Sequence, residues 1–211
     1  MTPTARSDIG VATRSDLVCA ARSLFAHQGF DGTSVRAITQ LAGTNLGAVT
    51  YHFGTKRELY SAVLEDGLRP IAARVAEAAA SEGPALERML RVVEAYFEHF
   101  EHHPDLPHLL LQEVAAGKEP PTVVREIVSR VKETIARLQV EGVADGSVRP
   151  GHPVLTALSV VSQPVYLTLV APLLRSIGDL DLTDSETRRM AIEHTTAFVR
   201  AALEPRGSAS I

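Results

Sequence analysis

Three glycines, Gly29, Gly43 and Gly54, cut the N-terminal part of the chain into pieces too short to stand alone. Isolated helices under about 12–15 residues are marginal in water, so these pieces must pack on one another. Leu17, Ala21, Leu24 and Phe25 recur at helical spacing, and Gly29 stops that first helix in the left-handed position that glycine fills at low cost. Thr33 or Ser34 caps a second helix, with Val35, Ile38, Leu41 and Ala42 facing inward. Gly43 ends it. Asn45 is the expected cap of a third helix over residues 46–53, with Leu46, Val49 and Phe53 as its inner stripe. Gly54 ends that one, and Thr55 with Glu58 has the spacing of a capping box for a fourth. A short glycine-containing join between the second and third helices is the arrangement of a helix-turn-helix.

Within the third helix stands Gly47, where glycine costs about 1 kcal/mol relative to alanine. With Leu46, Val49 and Phe53 inward, Gly47, Ala48, Thr50 and Tyr51 are expected to face out. A helix entering a DNA major groove brings its backbone close to the bases, and Gly47 and Ala48 remove the bulk that would hold it off. Thr50 and Tyr51 offer hydroxyls and a flat ring. Asn45 sits where free backbone N–H groups favour phosphate. Lys56 and Arg57 supply positive charge for the flanking backbone. The expected division has Thr33, Ser34, Tyr51, His52 and Lys56 on phosphates, with Arg36 completing the DNA-binding set. Thr44, Asn45, Gly47, Ala48 and Thr50 approach bases. Singly, Tyr51 and His52 also fit the rim of a small bundle, and Gly47 fits close helix packing.

Composition agrees with helices. Of 211 residues 45% are hydrophobic, 22% charged and 5% aromatic, with no tryptophan. Long alternating β-branched runs are missing, so the chain reads as all-α. The net charge is −4, but residues 1–60 hold six Lys/Arg against four acids, and the remainder fifteen against twenty-one. An acidic body with a mildly basic head suits an anionic partner at the head. The single Cys19 excludes an internal disulfide framework and fits a reducing compartment. "MTPTARSDIGVATRSD" lacks the apolar stretch of a signal peptide. Residues 1–13 are expected to be a mobile tail, and the location cytoplasmic.

The stretch "LFAHQGFDGTSVRAITQLAGTNLGAVTYHFGTKRELY" resembles the DNA-binding domain of the TetR family of bacterial transcriptional repressors. The similarity lies in the Phe-Ala-x-x-Gly-Phe-x-x-Thr-Ser start, the Ala-Gly turn, Tyr-His-Phe, and the following Gly-Thr-Lys-x-x-Leu-Tyr; it covers residues 14–60. Two positions depart: Thr39 stands where the family favours a small residue, and Thr50 where tyrosine or asparagine is common. The resemblance implies an all-helical chain of about nine helices, a homodimer built from the last two, and a pocket for a small-molecule effector. It also implies release from a double-stranded DNA operator when that effector binds. The implied division is DNA binding over 14–60, ligand binding and dimerisation over 61–204, and a frayed tail over 205–211.

The body is compatible with this. A fourth helix runs over 55–80. "ALERMLRVVEAYFEHFEHH" is amphipathic, with Leu86, Leu90, Val93, Phe97 and Phe100 at helical spacing. A short sixth helix follows, then a seventh over 121–141 around Val124, Ile127, Val128, Val131, Ile135 and Leu138. "PVLTALSVVSQPVYLTLVAPLL" carries no charge and is long enough to span a bilayer. Gln163, Pro164 and Pro172 count against spanning, as does the lack of Lys/Arg asymmetry around it. The expectation is a helix packed on its own domain and on a second subunit, with no membrane partner. Tyr96, Phe97, Phe100, Leu110, Glu113, Ile127, Val131, Gln163 and Tyr166 are the candidate pocket for a mostly apolar ligand, against the plainer reading of core packing.

His99, His102, His103 and His108 cluster, and His99 with His103 has a spacing that can hold zinc on one helix face. No second cysteine and no His-Glu-x-x-His joins them, so solvated histidines at a helix end, and no metal, are expected. There is no nucleophile elbow and no phosphate-binding glycine loop. No enzymatic activity and no cofactor are expected. The alternatives are a head that docks a protein, and a metal-dependent small-molecule enzyme using the histidine-rich end of the fifth helix.

Overall fold

The computed structural model describes residues 4–117, 119–178 and 180–205, excepting the side chains of 4–13. Among the described residues there are nine helices and no strand: α1 Thr4–Gly32, α2 Val35–Leu41, α3 Gly47–Phe53, α4 Lys56–Ala80, α5 Ala85–His102, α6 Leu106–Ala115, α7 Thr122–Asp145, α8 Pro153–Ser176 and α9 Ser185–Leu203. The all-α reading holds. The backbone is helical from Thr4, within the stretch expected as a tail. Residues 1–3 and 206–211 of the two expected tails lie outside the described residues.

The chain divides into two compact units. One runs to Leu68 and takes in His108–Val124; the other holds Arg69–Pro107 and continues from Arg125. The expected boundary at residue 60 therefore shifts, and α6 joins the first helices instead of the body. A long-range bond supports that placement: Gln112 Nε2 donates to the Ala26 carbonyl at 3.2 Å.

In the first unit, Leu17, Ala21, Phe25, Ile38, Val49, Leu59, Tyr60, Val63 and Leu64 form the core. Phe25 meets the Tyr60 ring edge-on at 4.9 Å, and Phe30 meets it at 5.1 Å. Such pairs add about 0.5–1.5 kcal/mol beyond area burial. Arg22 on α1 is paired with Asp66 on α4. Gly29, with φ 72° and ψ 172°, breaks α1 where the sequence places its stop.

In the second unit, α5 buries Leu86, Leu90, Val93, Phe97 and Phe100 as its periodicity predicts, and packs against α8 and α9. Ion pairs tie these helices: Arg200 donates to both Glu87 carboxylate oxygens at 2.6 and 2.9 Å, and Arg188 pairs with Glu101 at 2.7 Å. On α7, Ile127, Val131, Ile135 and Leu138 are buried as expected, whereas Val128 is exposed. Several large apolar side chains stay exposed on the last two helices. Leu155, Leu158, Tyr166 and Leu173 on α8 and Phe198 on α9 are each more than half exposed.

Candidate nucleic-acid interface

Local rules build α2 and the turn after it. Ser34 caps α2, its Oγ accepting from the Ala37 N–H at 3.1 Å. Gly43, with φ 64°, takes the left-handed conformation that turns the chain, and the Thr44 N–H then bonds to the Thr39 carbonyl at 2.9 Å. Thr39 is buried, and its hydroxyl donates to the Arg36 carbonyl at 3.1 Å. Leu41, expected inside, is exposed. After α3, Gly54 has φ 81°. The Thr55–Glu58 box forms: the Glu58 N–H donates to Thr55 Oγ1 at 3.1 Å, and that hydroxyl donates to Glu58 Oε2 at 2.9 Å.

The third helix differs from expectation in phase. It begins at Gly47, with Leu46 in the cap position and no side-chain cap bond, so Asn45 is not its cap. The Asn45 carbonyl instead accepts from the Ala48 N–H at 3.1 Å. Ala48 is only 7% exposed while Leu46 is 60% exposed, so the two exchange roles. Ala48 and Val49 face the core with His52 and Phe53 partly covered behind them; Leu46, Gly47, Thr50 and Tyr51 form the outward face. These are residues i, i+1, i+4 and i+5, one continuous helical stripe. Ala48 therefore packs inward and does not approach bases.

Thr33 and Lys56 are also corrected. Thr33 is buried, and its hydroxyl donates to the Gly29 carbonyl at 2.8 Å, which closes the end of α1 instead of facing phosphate. Lys56 Nζ donates to the Phe30 carbonyl at 2.6 Å and the Thr33 carbonyl at 2.8 Å, and lies 4.2 Å from the centre of the Phe30 ring. Two of its three N–H donors thus fasten the α1–α2 corner. Ser34, Arg36, Asn45, Gly47, Thr50, Tyr51 and Arg57 are exposed, and Thr44 and His52 are partly covered. The His52 ring stands edge-on to Tyr51 at 4.8 Å. Arg14 sits 5.0 Å from the centre of the Phe53 ring at the foot of α3. Nothing local in the sequence links those two residues.

The nine candidate pocket residues do not share one unit. Leu110 and Glu113 belong to the first, and the other seven to the second. Glu113 lies beside Tyr60, whose hydroxyl pKa is raised by burial first and by that carboxylate second. Tyr96, Phe97, Phe100, Ile127 and Val131 are buried, Gln163 is half-buried and Tyr166 is exposed. Burial alone raises the Tyr96 hydroxyl. A cavity of about 400 Å³ opens in the second unit, with apolar walls that include Phe97, Phe100, Ala171 and Pro172 and a polar rim of Glu101, Thr168, Arg175, Asp181, Thr183 and Arg188. Its size is that of a small-molecule site.

The histidines are not uniformly solvated. His99 is buried and stacks on His103 at 4.5 Å, while His102 is exposed, its Nδ1 3.1 Å from the Glu98 carbonyl. Among the described residues no group of three or more His, Cys, Asp or Glu side chains could hold a metal ion.

Residues 17–63 match the model of bacterial regulatory proteins of the tetR family, and residues 86–199 match a tetracyclin repressor-like C-terminal domain. The HTH-type transcriptional repressor KstR2 of Mycolicibacterium smegmatis is 32% identical over 142 residues, 65% of this chain and 68% of that protein. The HTH-type transcriptional repressor AcnR of Corynebacterium efficiens is 34% identical over 79 residues, 37% of this chain, and the match spans only 40% of AcnR. The solved structure of the ketosteroid transcriptional regulator KstR2 of Mycobacterium tuberculosis superposes with a TM-score of 0.73 at 22% identity, covering 92% of this chain and 95% of that one. Two family models and a relative matched over two thirds of its length lead to one conclusion: the chain belongs to the TetR family of bacterial regulatory proteins.

Proposed function

We propose that the protein is a sequence-specific DNA-binding repressor that acts as a homodimer on a rough palindrome and is released by a small, mostly apolar effector. The observation that carries this is the outward stripe of α3, Leu46, Gly47, Thr50 and Tyr51, free of charge and slim at Gly47. A helix of that shape can lie close to base edges. Ser34, Arg36, Tyr51, His52 and Arg57 hold the flanking phosphates; Thr44, Asn45, Gly47 and Thr50 approach bases.

A second copy covers α8 and α9. The most apolar stretch of α8 is long enough to cross a membrane, yet only 17% of it is buried within the chain. The apolar residues of α9 beside it make the pair a seat for the same pair in a partner. A dimer places two recognition helices about 34–36 Å apart, one turn of DNA. The effector occupies the cavity walled by Phe97 and Phe100, and it shifts operator binding by preferring a conformation that DNA does not. A regulator of this kind works in the cytoplasm, where the chromosome is, and needs no catalytic step.

Selection of bound fragments from random and genomic DNA tests the reading. An enriched, roughly palindromic sequence is expected. In sedimentation, Leu158→Glu with Phe198→Glu should turn dimers into monomers and abolish tight operator binding. Purified protein that enriches no DNA sequence would sink the proposal.

A further inference from the structure

The stripe on α3 holds one residue that the hydroxyl-and-glycine account leaves without a role. Leu46 was expected in the core and is instead 60% exposed. Exposure alone means little, because single apolar residues are common on surfaces. Its company decides the matter. Leu46 shares the stripe with Gly47, which has no side chain, and with Thr50 one turn further on; Tyr51 beside them is 85% exposed. Asn45 Oδ1 lies 3.3 Å from where a Gly47 Cβ would stand, and among the described residues, its two chain neighbours aside, no other side chain comes within 4 Å of that point, so the stripe stays slim next to Leu46.

Leucine has no donor or acceptor. A DNA major groove presents acceptors and donors on every base pair, and one apolar feature, the C5-methyl of thymine. Resting on the assignment of α3 as the recognition helix, we propose that Leu46 reads a thymine methyl in each half of the operator. The residue thereby sets specificity at one base pair through apolar contact, while Thr50 and Tyr51 act through their hydroxyls. Facing any other base, Leu46 buries a base-edge polar group without a partner, which is unfavourable. That penalty makes the contact selective and not merely adhesive.

The test uses the operator recovered by selection, with each thymine replaced singly by deoxyuridine in both halves, so that only a methyl group is lost. Binding is measured at fixed salt. Burial of one methyl-sized group is worth about a fourfold change in affinity. One thymine per half-site should show a loss of about fourfold per half with the wild-type chain. The Leu46→Ala variant should bind the thymine operator more weakly and lose its sensitivity at that position alone, keeping any deoxyuridine effect elsewhere. At the same position 5-methylcytosine, paired with guanine, should bind the wild-type chain more tightly than cytosine does. Leu46 is exposed, so the variant should melt as the wild type does, and melting curves check this. A Leu46→Ala protein with the wild-type deoxyuridine profile at every thymine would overturn the inference, as would a flat wild-type profile. Either result leaves operator binding itself standing; failure to enrich any operator sinks the broader reading.

Discussion

Lys56→Ala separates a structural lysine from a phosphate-binding one. The ammonium makes two hydrogen bonds to carbonyls, 2.6 Å to Phe30 and 2.8 Å to Thr33, and covers the Phe30 ring at 4.2 Å. Hydrogen bonds involving a charged group contribute about 1.5–3 kcal/mol when sheltered. Here the site is half-buried and water can replace part of the loss, so the two bonds together contribute about 1.5–2 kcal/mol. A partly exposed cation–π contact adds about 0.5–1 kcal/mol. The expected loss is about 2–3 kcal/mol, and for a chain of this length each kcal/mol moves Tm by about 2–4 °C. Melting should therefore drop by about 4–12 °C. Operator affinity measured against salt should behave differently. Each phosphate contact contributes about 0.9 to the slope of log K against log salt. With two of three donors engaged inside the protein, Lys56→Ala should change that slope by well under one unit. Arg57→Ala is the complementary variant: its guanidinium is exposed, 5.1 Å from the Phe30 ring centre, and its loss should lower the slope by about 0.9 with little change in Tm. A Lys56→Ala protein with unchanged Tm and a slope lowered by a full unit would refute the structural assignment.

Gly47→Leu should abolish operator binding without lowering Tm, since a Cβ there meets only Asn45 Oδ1 at 3.3 Å; gel shift beside a melting curve checks both halves. Gly142→Ala should be among the most damaging single-methyl additions in the second unit, because its Cβ would lie 2.7 Å from Val148 Cβ and 3.2 Å from Ala85 Cβ; denaturant unfolding should show a loss at the upper end of about 1–3 kcal/mol. Hydrogen bonding from Arg200 is the main cause that lowers the Glu87 pKa. A carboxyl with its pKa lowered on folding contributes stability above its unfolded pKa, and that contribution disappears as pH falls through the folded value. Arg200→Met should therefore flatten the pH dependence of stability on the acid side of the ordinary glutamate range, and an unaltered acid limb in urea melts would remove the pair from the stability account.

What was legible in the sequence was local. Gly29, Gly43 and Gly54 were readable as stops because each requires positive φ, at 72°, 64° and 81°. The Ser34 cap and the Thr55–Glu58 box act over three residues and needed no tertiary information. The amphipathic α5 was readable because eighteen residues give five turns over which to fix its phase. In α3 the same reasoning failed for a physical reason. Seven residues make about two turns, and a start displaced by one residue rotates the stripe by about 100°. Apolar character then pointed Leu46 inward, whereas the packed face needed the small Ala48. Lys56 and Arg14 are different: Lys56 meets Phe30 and Thr33 across 26 and 23 positions, beyond the reach of any spacing rule, whereas the Thr33 hydroxyl bonds locally to Gly29.

These corrections change how affinity and specificity must be divided. The outward face of α3 is uncharged and Lys56 is largely occupied, so on the proposed reading attraction to phosphate would fall to a few rim groups such as Arg36 and Arg57. Few phosphate contacts mean weak binding by a single head, since that term supplies most sequence-independent affinity. In the proposed dimer, two heads joined through α8 and α9 would escape the limit, because the second would engage at the high effective concentration set by the first. The same arithmetic makes release easy. An effector need not cover the DNA-reading surface. It has only to favour a conformation in which both heads cannot engage together, and the binding then reverts to that of one weakly held helix-turn-helix.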